Sequence, residues 1–201
     1  RKYLDRQGFN VLEHTTIYSY TQLLCDRLEM SGMGDVKTRV GKDAYFFSCL
    51  MDDLRLACHR LGPQLRRPKD VAIRSRYGIC WIAVAMAFGC GNESRFLDIY
   101  NQMPQPVLHI HLDISLEVGE ARRKSREKAA DPKESRRIQA GMLSAYGRLL
   151  GHVGTALHVL DGEKAVDEVT AEVQAIVRNV LPTGEIKGVE KREDEVFACT
   201  H

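Results

Sequence analysis

The sequence predicts an α/β fold, a three-layer α/β/α sandwich with a mainly parallel sheet and helices on both faces. Three observations carry this expectation. Runs such as "VAIRS", "VLHIHLDIS" and "TALHVLDG" are apolar on both alternating faces, the pattern of strands covered from two sides. Segments of helical period separate them, as in parallel βαβ units. The runs end in Ser75-Arg76-Tyr77, Asp113-Ile114-Ser115 and Asp161-Gly162, and ligands of such sheets gather at the carboxyl ends of strands.

In chain order, Tyr3, Leu4 and Gly8 read as a helix closing on its glycine, followed by "FNVLEH" as a short strand. Residues 18 to 31 give an amphipathic helix through Tyr20, Leu23, Leu24, Arg27 and Leu28, broken by "SGMGD". A long helix over 43 to 61 places Phe46, Phe47, Leu50, Met51, Leu54 and Cys58 on one face and stops at Gly62 and Pro63. The strand "VAIRS" and a helix over 77 to 89 follow, then a short helix at 92 to 101 leads through Pro104 and Pro106 into "VLHIHLDIS". A helix over 116 to 128, the charged segment "RRKSREKAADPKESRR" and a helix from about 132 to 151 precede the last strand and a closing helix over 163 to 180. Residues 182 to 201 carry few apolar side chains and read as a flexible charged tail.

With 201 residues, 44% of them hydrophobic, the chain can bury the core of one domain, expected over residues 1 to 181. Its 29 basic and 27 acidic residues leave a net charge of +2, so composition argues against a nucleic-acid or membrane partner, and any basic site must be local. The six cysteines, at 25, 49, 58, 80, 90 and 199, form no Cys-x-x-Cys pair and fit buried free thiols in a reducing, cytoplasmic setting. No apolar run approaches the roughly 20 residues that cross a bilayer. The opening "RKYLDRQGFNV" lacks a signal-peptide h-region and, beginning at Arg1, reads as a truncated N-terminus.

Arg76 is the leading candidate for an anion site, because a guanidinium keeps its charge and offers a planar fork suited to phosphate. Arg74, two residues earlier, is expected at a different level, where replacement by Lys should do little. Arg122 and Arg126 are four apart and share a helix face, although Glu120, Lys124, Glu127 and Lys128 make a solvated charged helix the competing reading. Arg136 and Arg137 read as surface charge. On the long helix, Asp52 and Asp53 next to Arg55 fit an ordinary ion pair as well as a binding role. His109, His111 and Asp113 alternate along one strand; a His-x-His pair can bind zinc, with His158 the further strand candidate, but packed histidines are the plainer reading.

The order of these pieces resembles the nucleoside monophosphate kinases of the P-loop class, and most closely the thymidylate kinase family, over residues 1 to about 180. "LDISLEVGEARRKSR" is similar to the family's strand, turn and helix into an arginine-bearing lid, expected near 122 to 137. "SAYGRLL" is similar to the tyrosine-bearing helix after the lid, and "HVLDGEKAVDEVTAEVQAIV" to the last strand and closing helix. "VAIRSRYGIC" falls where the family has Asp-Arg-Tyr, with Ser75 in place of the acid. The family's Glu-Pro-Gly is replaced by "LEHTTIYS", and Cys80, Val84 and Ala85 stand near where the base is read. A G-x-x-x-x-G-K-S/T phosphate loop is missing, and "RVGKDAY" does not supply one.

The resemblance implies phosphoryl transfer from ATP, with Mg2+, to a nucleoside monophosphate, with a pyrimidine as the expected base. It assigns Arg76, Arg122 and Arg126 to catalysis, Arg55, Arg76 and Tyr77 to the acceptor, and Arg122, Arg126 and Asp161 to the donor nucleotide. No protein metal ligand is assigned, and a homodimer stays open. Lacking a phosphate loop and the first strand, the chain is expected to bind ATP poorly. Two other readings stand beside this one: a noncatalytic nucleotide-sensing or interaction module, and a metal-dependent hydrolase using His109 and His111.

Overall fold

The computed structural model describes residues 1–14, 20–35, 39–125, 136–154 and 156–181. Strands form where the apolar runs lie: β1 (Asn10–His14), β2 (Asp70–Arg74), β3 (Leu108–Asp113) and β4 (Ala156–Asp161). β1 pairs with β2 and β3 with β4, each in parallel, setting Asn10 against Asp70 and Leu108 against Ala156. Parallel pairing agrees with the helices between partners.

The mainly parallel sheet is seen as parallel pairs and not as one sheet. Among the described residues the pairs are two separate two-stranded sheets, with "VAIR" in one and "LHIHLD" and "ALHVLD" in the other. Apolar periodicity reports which faces of a strand are covered but not which neighbour bonds its edge, and no described strand pairs with both β2 and β3. Burial on both faces is corrected. No described strand side chain is fully buried, and Leu112 and Val159 are half exposed.

The helices are α1 (Lys2–Arg6), α2 (Tyr20–Leu28), α3 (Lys42–Arg55), α4 (Gly78–Ala87), α5 (Glu93–Gln102), α6 (Leu116–Lys124), α7 (Arg136–Leu149) and α8 (Val166–Val180). The core lies among helices rather than on a sheet. Leu50 of α3, Ile79 and Ile82 of α4, Phe96 and Tyr100 of α5 and Leu149 of α7 are its largest wholly buried apolar members. α4, "GICWIAVAMA", is apolar nearly all round and is therefore the helix the others surround. A Cβ on Gly78 would stand 2.6 Å from Met103 Sδ and 2.8 Å from Tyr100 Cδ2, so the glycine is what lets α5 close on the start of α4.

Two helix faces differ from expectation. α2 buries Gln22 and Cys25 and turns Tyr20, Leu23 and Leu24 outward, with the Thr21 amide donating to Asp52 Oδ2 at 2.8 Å on α3. α3 buries Tyr45, Phe46, Cys49, Leu50 and Asp53, leaving Phe47 and Met51 exposed. The long helix is also not α-helical to residue 61: after Arg55 it passes into a π-helical turn, Leu56–Leu61, and a 3-10 turn, Gly62–Gln64. Asp70 then opens β2, accepting from Asn10 Nδ2 at 2.9 Å and from the amides of Arg67 at 2.8 Å and Arg66 at 3.1 Å. These bonds, with the Asn10 bond foremost, hold its carboxyl below the usual range. No helix among the described residues is long and apolar enough to cross a membrane.

Candidate functional site

The carboxyl end of β2 is built on a buried charge pair. Arg74 Nη2 donates to Asp53 Oδ1 on α3, with the arginine side chain 8% exposed and the aspartate 1%. Burial raises the Asp53 pKa above the ordinary carboxylate value, and the Arg74 charge opposes that rise. The Arg74 guanidinium also lies over the Tyr77 ring, 5.1 Å from its centroid, and the Tyr77 hydroxyl donates to the Pro104 carbonyl at 2.6 Å. Burial and the Asp53 charge push the Tyr77 phenol up.

This reverses the expectation that replacing Arg74 costs little and the reading of Asp53 as an ion-pair partner of Arg55. Arg74 is the interior residue, and Asp53 pairs with it instead of with Arg55. Arg76 is exposed, two residues after the anchored Arg74 and one before the anchored Tyr77. Strand alternation separates Arg74 from Ser75 but cannot say which side meets an acid; Asp53, the acid that decides, lies 21 positions away on α3.

Tyr146 of α7 joins this end to the second sheet. Its ring packs against His111 of β3 at 5.0 Å between centroids, and its phenol lies near the Cys80 thiol close to the start of α4. Burial, first, and Cys80 push the Tyr146 phenol up, while the Arg76 charge pulls it down. Arg76, Cys80, Tyr146 and His111 therefore form one neighbourhood. The sequence marked the helix bearing Tyr146 but neither the contact with His111 nor the role of Asp53, because both depend on helix packing.

At the ends of β3 and β4 an open cleft of about 410 Å³ is lined by Asp113, Ser115, Asp161 and Glu163 with Ile114, Val159 and Leu160. Asp113 and Asp161 are register partners and share a face. The turn after β4 is tied down. Gly162 N donates to Asp113 O at 2.7 Å, Glu163 N to Asp161 Oδ1 at 2.8 Å, and Ser115 N to Glu163 Oε1 at 2.8 Å. The Ser115 bonds lower the Glu163 pKa. Arg122 is part of the same turn, donating from Nη1 to Gly162 O at 2.6 Å and from Nη2 to Glu163 O at 3.4 Å. Arg126 lies outside the described residues, as does most of the expected lid. Arg136 pairs with Glu117 and Glu120 on α6, in keeping with surface charge.

Arg55 is brought to neither place. It lines a second cleft with Tyr20, Asp52, Leu56, His59 and Arg60.

The two places differ in the donors they offer. The β2 end offers a guanidinium, a phenol and a thiol, while the Asp53 carboxylate is buried on Arg74. In the acidic cleft Asp161 and Glu163 are engaged by backbone amides, and no group of three metal-binding side chains exists among the described residues. The zinc reading is corrected. His158 is the register partner of Ile110, so it points to the face opposite His109 and His111. Burial lowers the pKa of both these histidines; the nearby His111 adds to the effect at His109, and Asp113 opposes it at His111.

No protein-family model matches the chain, and a search of curated proteins finds no match.

Proposed function

We propose that the chain is the acceptor-binding body of a thymidylate kinase-like nucleoside monophosphate kinase, acting on a pyrimidine nucleoside monophosphate in the cytoplasm. The observation that carries this reading is the exposed Arg76 just past a strand's carboxyl end, between Arg74, two residues earlier and held by Asp53, and Tyr77, held by the Pro104 carbonyl. Phosphoryl transfer asks a protein mainly to position two nucleotides and offset spreading negative charge, and a presented guanidinium does both for an acceptor phosphate. Tyr146, packed on His111 with the two rings tilted by 44°, lies close enough to feel the Arg76 charge. The five described cysteines are free thiols, in keeping with a reducing compartment.

In this proposal ATP is the donor. The test is a coupled kinase assay of the full natural protein with ATP against a panel of pyrimidine and purine monophosphates. Turnover of a pyrimidine monophosphate is the expected result, and no turnover of any of them overturns the kinase reading. Ser75 in place of the acid favours one other outcome, a nucleotide-sensing module that binds a monophosphate at Arg76 without turning it over.

A further inference from the structure

The cleft that holds Arg55 is unlike the rest of the surface. From Leu54 to Lys69 the chain carries Arg55, Arg60, Arg66, Arg67, Lys69 and His59 and no acid at all, in a protein of net charge only +2. Among the described residues, Arg55, His59 and Arg60 have no ion-pair partner. Asp52 is the one acid in the lining, and its carboxylate accepts the Thr21 amide.

The backbone explains why three cations meet here. In an α-helix, residues five apart point roughly 140° away from each other, so Arg55 and Arg60 would diverge. The π-helical turn Leu56–Leu61 closes i→i+5 bonds instead, which returns the fifth residue to nearly the same side. Arg55, His59 and Arg60 thus line one cleft of about 390 Å³, floored by Leu56. π turns cost helix regularity and are frequent at functional sites. Tyr20, 70% exposed, belongs to the same lining. Asp53 points into the core toward Arg74, and Arg76 is not in the lining, so the cleft is separate from the β2 end.

We propose that this cleft is a second binding site, for a nucleotide-class phosphate ester, with the phosphate held by Arg55, His59 and Arg60 and the flat ring stacked on Tyr20. Three cations alone would take inorganic phosphate. The exposed phenol is what favours an ester bearing a flat ring, since stacking on an aromatic is open to any base. The size of the cleft falls within the range of small-ligand pockets. The site does not depend on the kinase reading, because none of its residues serves the acceptor end.

The test follows the His59 imidazole resonance by NMR while the whole chain is titrated at millimolar concentrations with UMP and, separately, inorganic phosphate. Both probes should move it, UMP binding about tenfold more tightly. The double variant Arg55→Gln/Arg60→Gln, with folding checked by circular dichroism, should abolish both responses. Tyr20→Ala should weaken UMP about fivefold and leave phosphate unchanged. Arg76→Gln should leave both responses at His59 intact. A His59 signal that neither probe moves overturns the site. A response lost in Arg76→Gln but kept in Arg55→Gln/Arg60→Gln does the same and returns nucleotide binding to the β2 end. Equal affinities for UMP and phosphate, unaffected by Tyr20→Ala, overturn the assignment to a ring-bearing ester. The kinase reading is judged apart from this, by turnover.

Discussion

Arg74 and Asp53 form an ion pair across β2 and α3 that is almost wholly removed from water. Removing one partner strands the other charge in the interior, so Asp53→Ala should destabilise the fold by about 3–5 kcal/mol. Replacing both with apolar residues of similar volume, Asp53→Leu with Arg74→Met, should recover most of that loss. Urea midpoints of the three proteins check this. Arg74→Lys should cost about 1.5–3 kcal/mol, because an ammonium keeps the charge but loses the planar stack on Tyr77.

The two histidines of β3 set a pH dependence. Both take up protons in the unfolded chain near 6.5, while burial holds their folded values lower. As pH falls below 6.5 the unfolded state binds more protons, so the stability present above that value is lost toward the folded pKa. The urea midpoint should therefore drop from about pH 7.5 to about pH 5.5, and His109→Gln should flatten the slope.

Gly141 is a contact point between helices. A Cβ there would lie 3.1 Å from Ala87 Cα on α4, and a backbone atom cannot swing aside. Gly141→Ala gains about 1 kcal/mol of helix propensity but forces α7 off α4, at a cost of about 1–3 kcal/mol. The net effect should be a lower melting temperature, and an unchanged or higher one would show that the helices can part freely.

Arg122 is bonded to the turn after β4 and not held out over a cleft. Arg122→Gln should lower stability by about 0.5–1.5 kcal/mol without any ligand present. An unchanged midpoint would mean the guanidinium is free, as a lid arginine would be.

Much of the secondary structure was legible because it rests on local pattern. Gly8 has a φ of 78°, the left-handed value that its place after the first helix requires. "DVAIR" and "LHIHLD" are strands because apolar β-branched runs fit a pleated surface. What failed was pairing and rotation. The neighbour of β2 and the inward face of α2 are set by contacts between distant segments, such as Asp52 with the Thr21 amide. The site divided in the same way: Arg76 could be marked from its place at a strand end, but the Arg74–Asp53 pair and the packing of Tyr146 on His111 join distant segments. Arg55 was assigned to the acceptor by the resemblance, and the fold sets it in a different cleft with His59 and Arg60.

The two parallel pairs also dictate an order of assembly. Asn10 meets Asp70 across 60 residues, and Ser115 meets Glu163 across 48. Closing such loops loses chain entropy before any ladder bond compensates, whereas α3, α4 and α5 are near neighbours in the chain. On dilution from denaturant the helical signal should return first. Amide protons of β1 to β4 should gain protection from exchange later, so the slow step is the docking of strands onto helices already collapsed together.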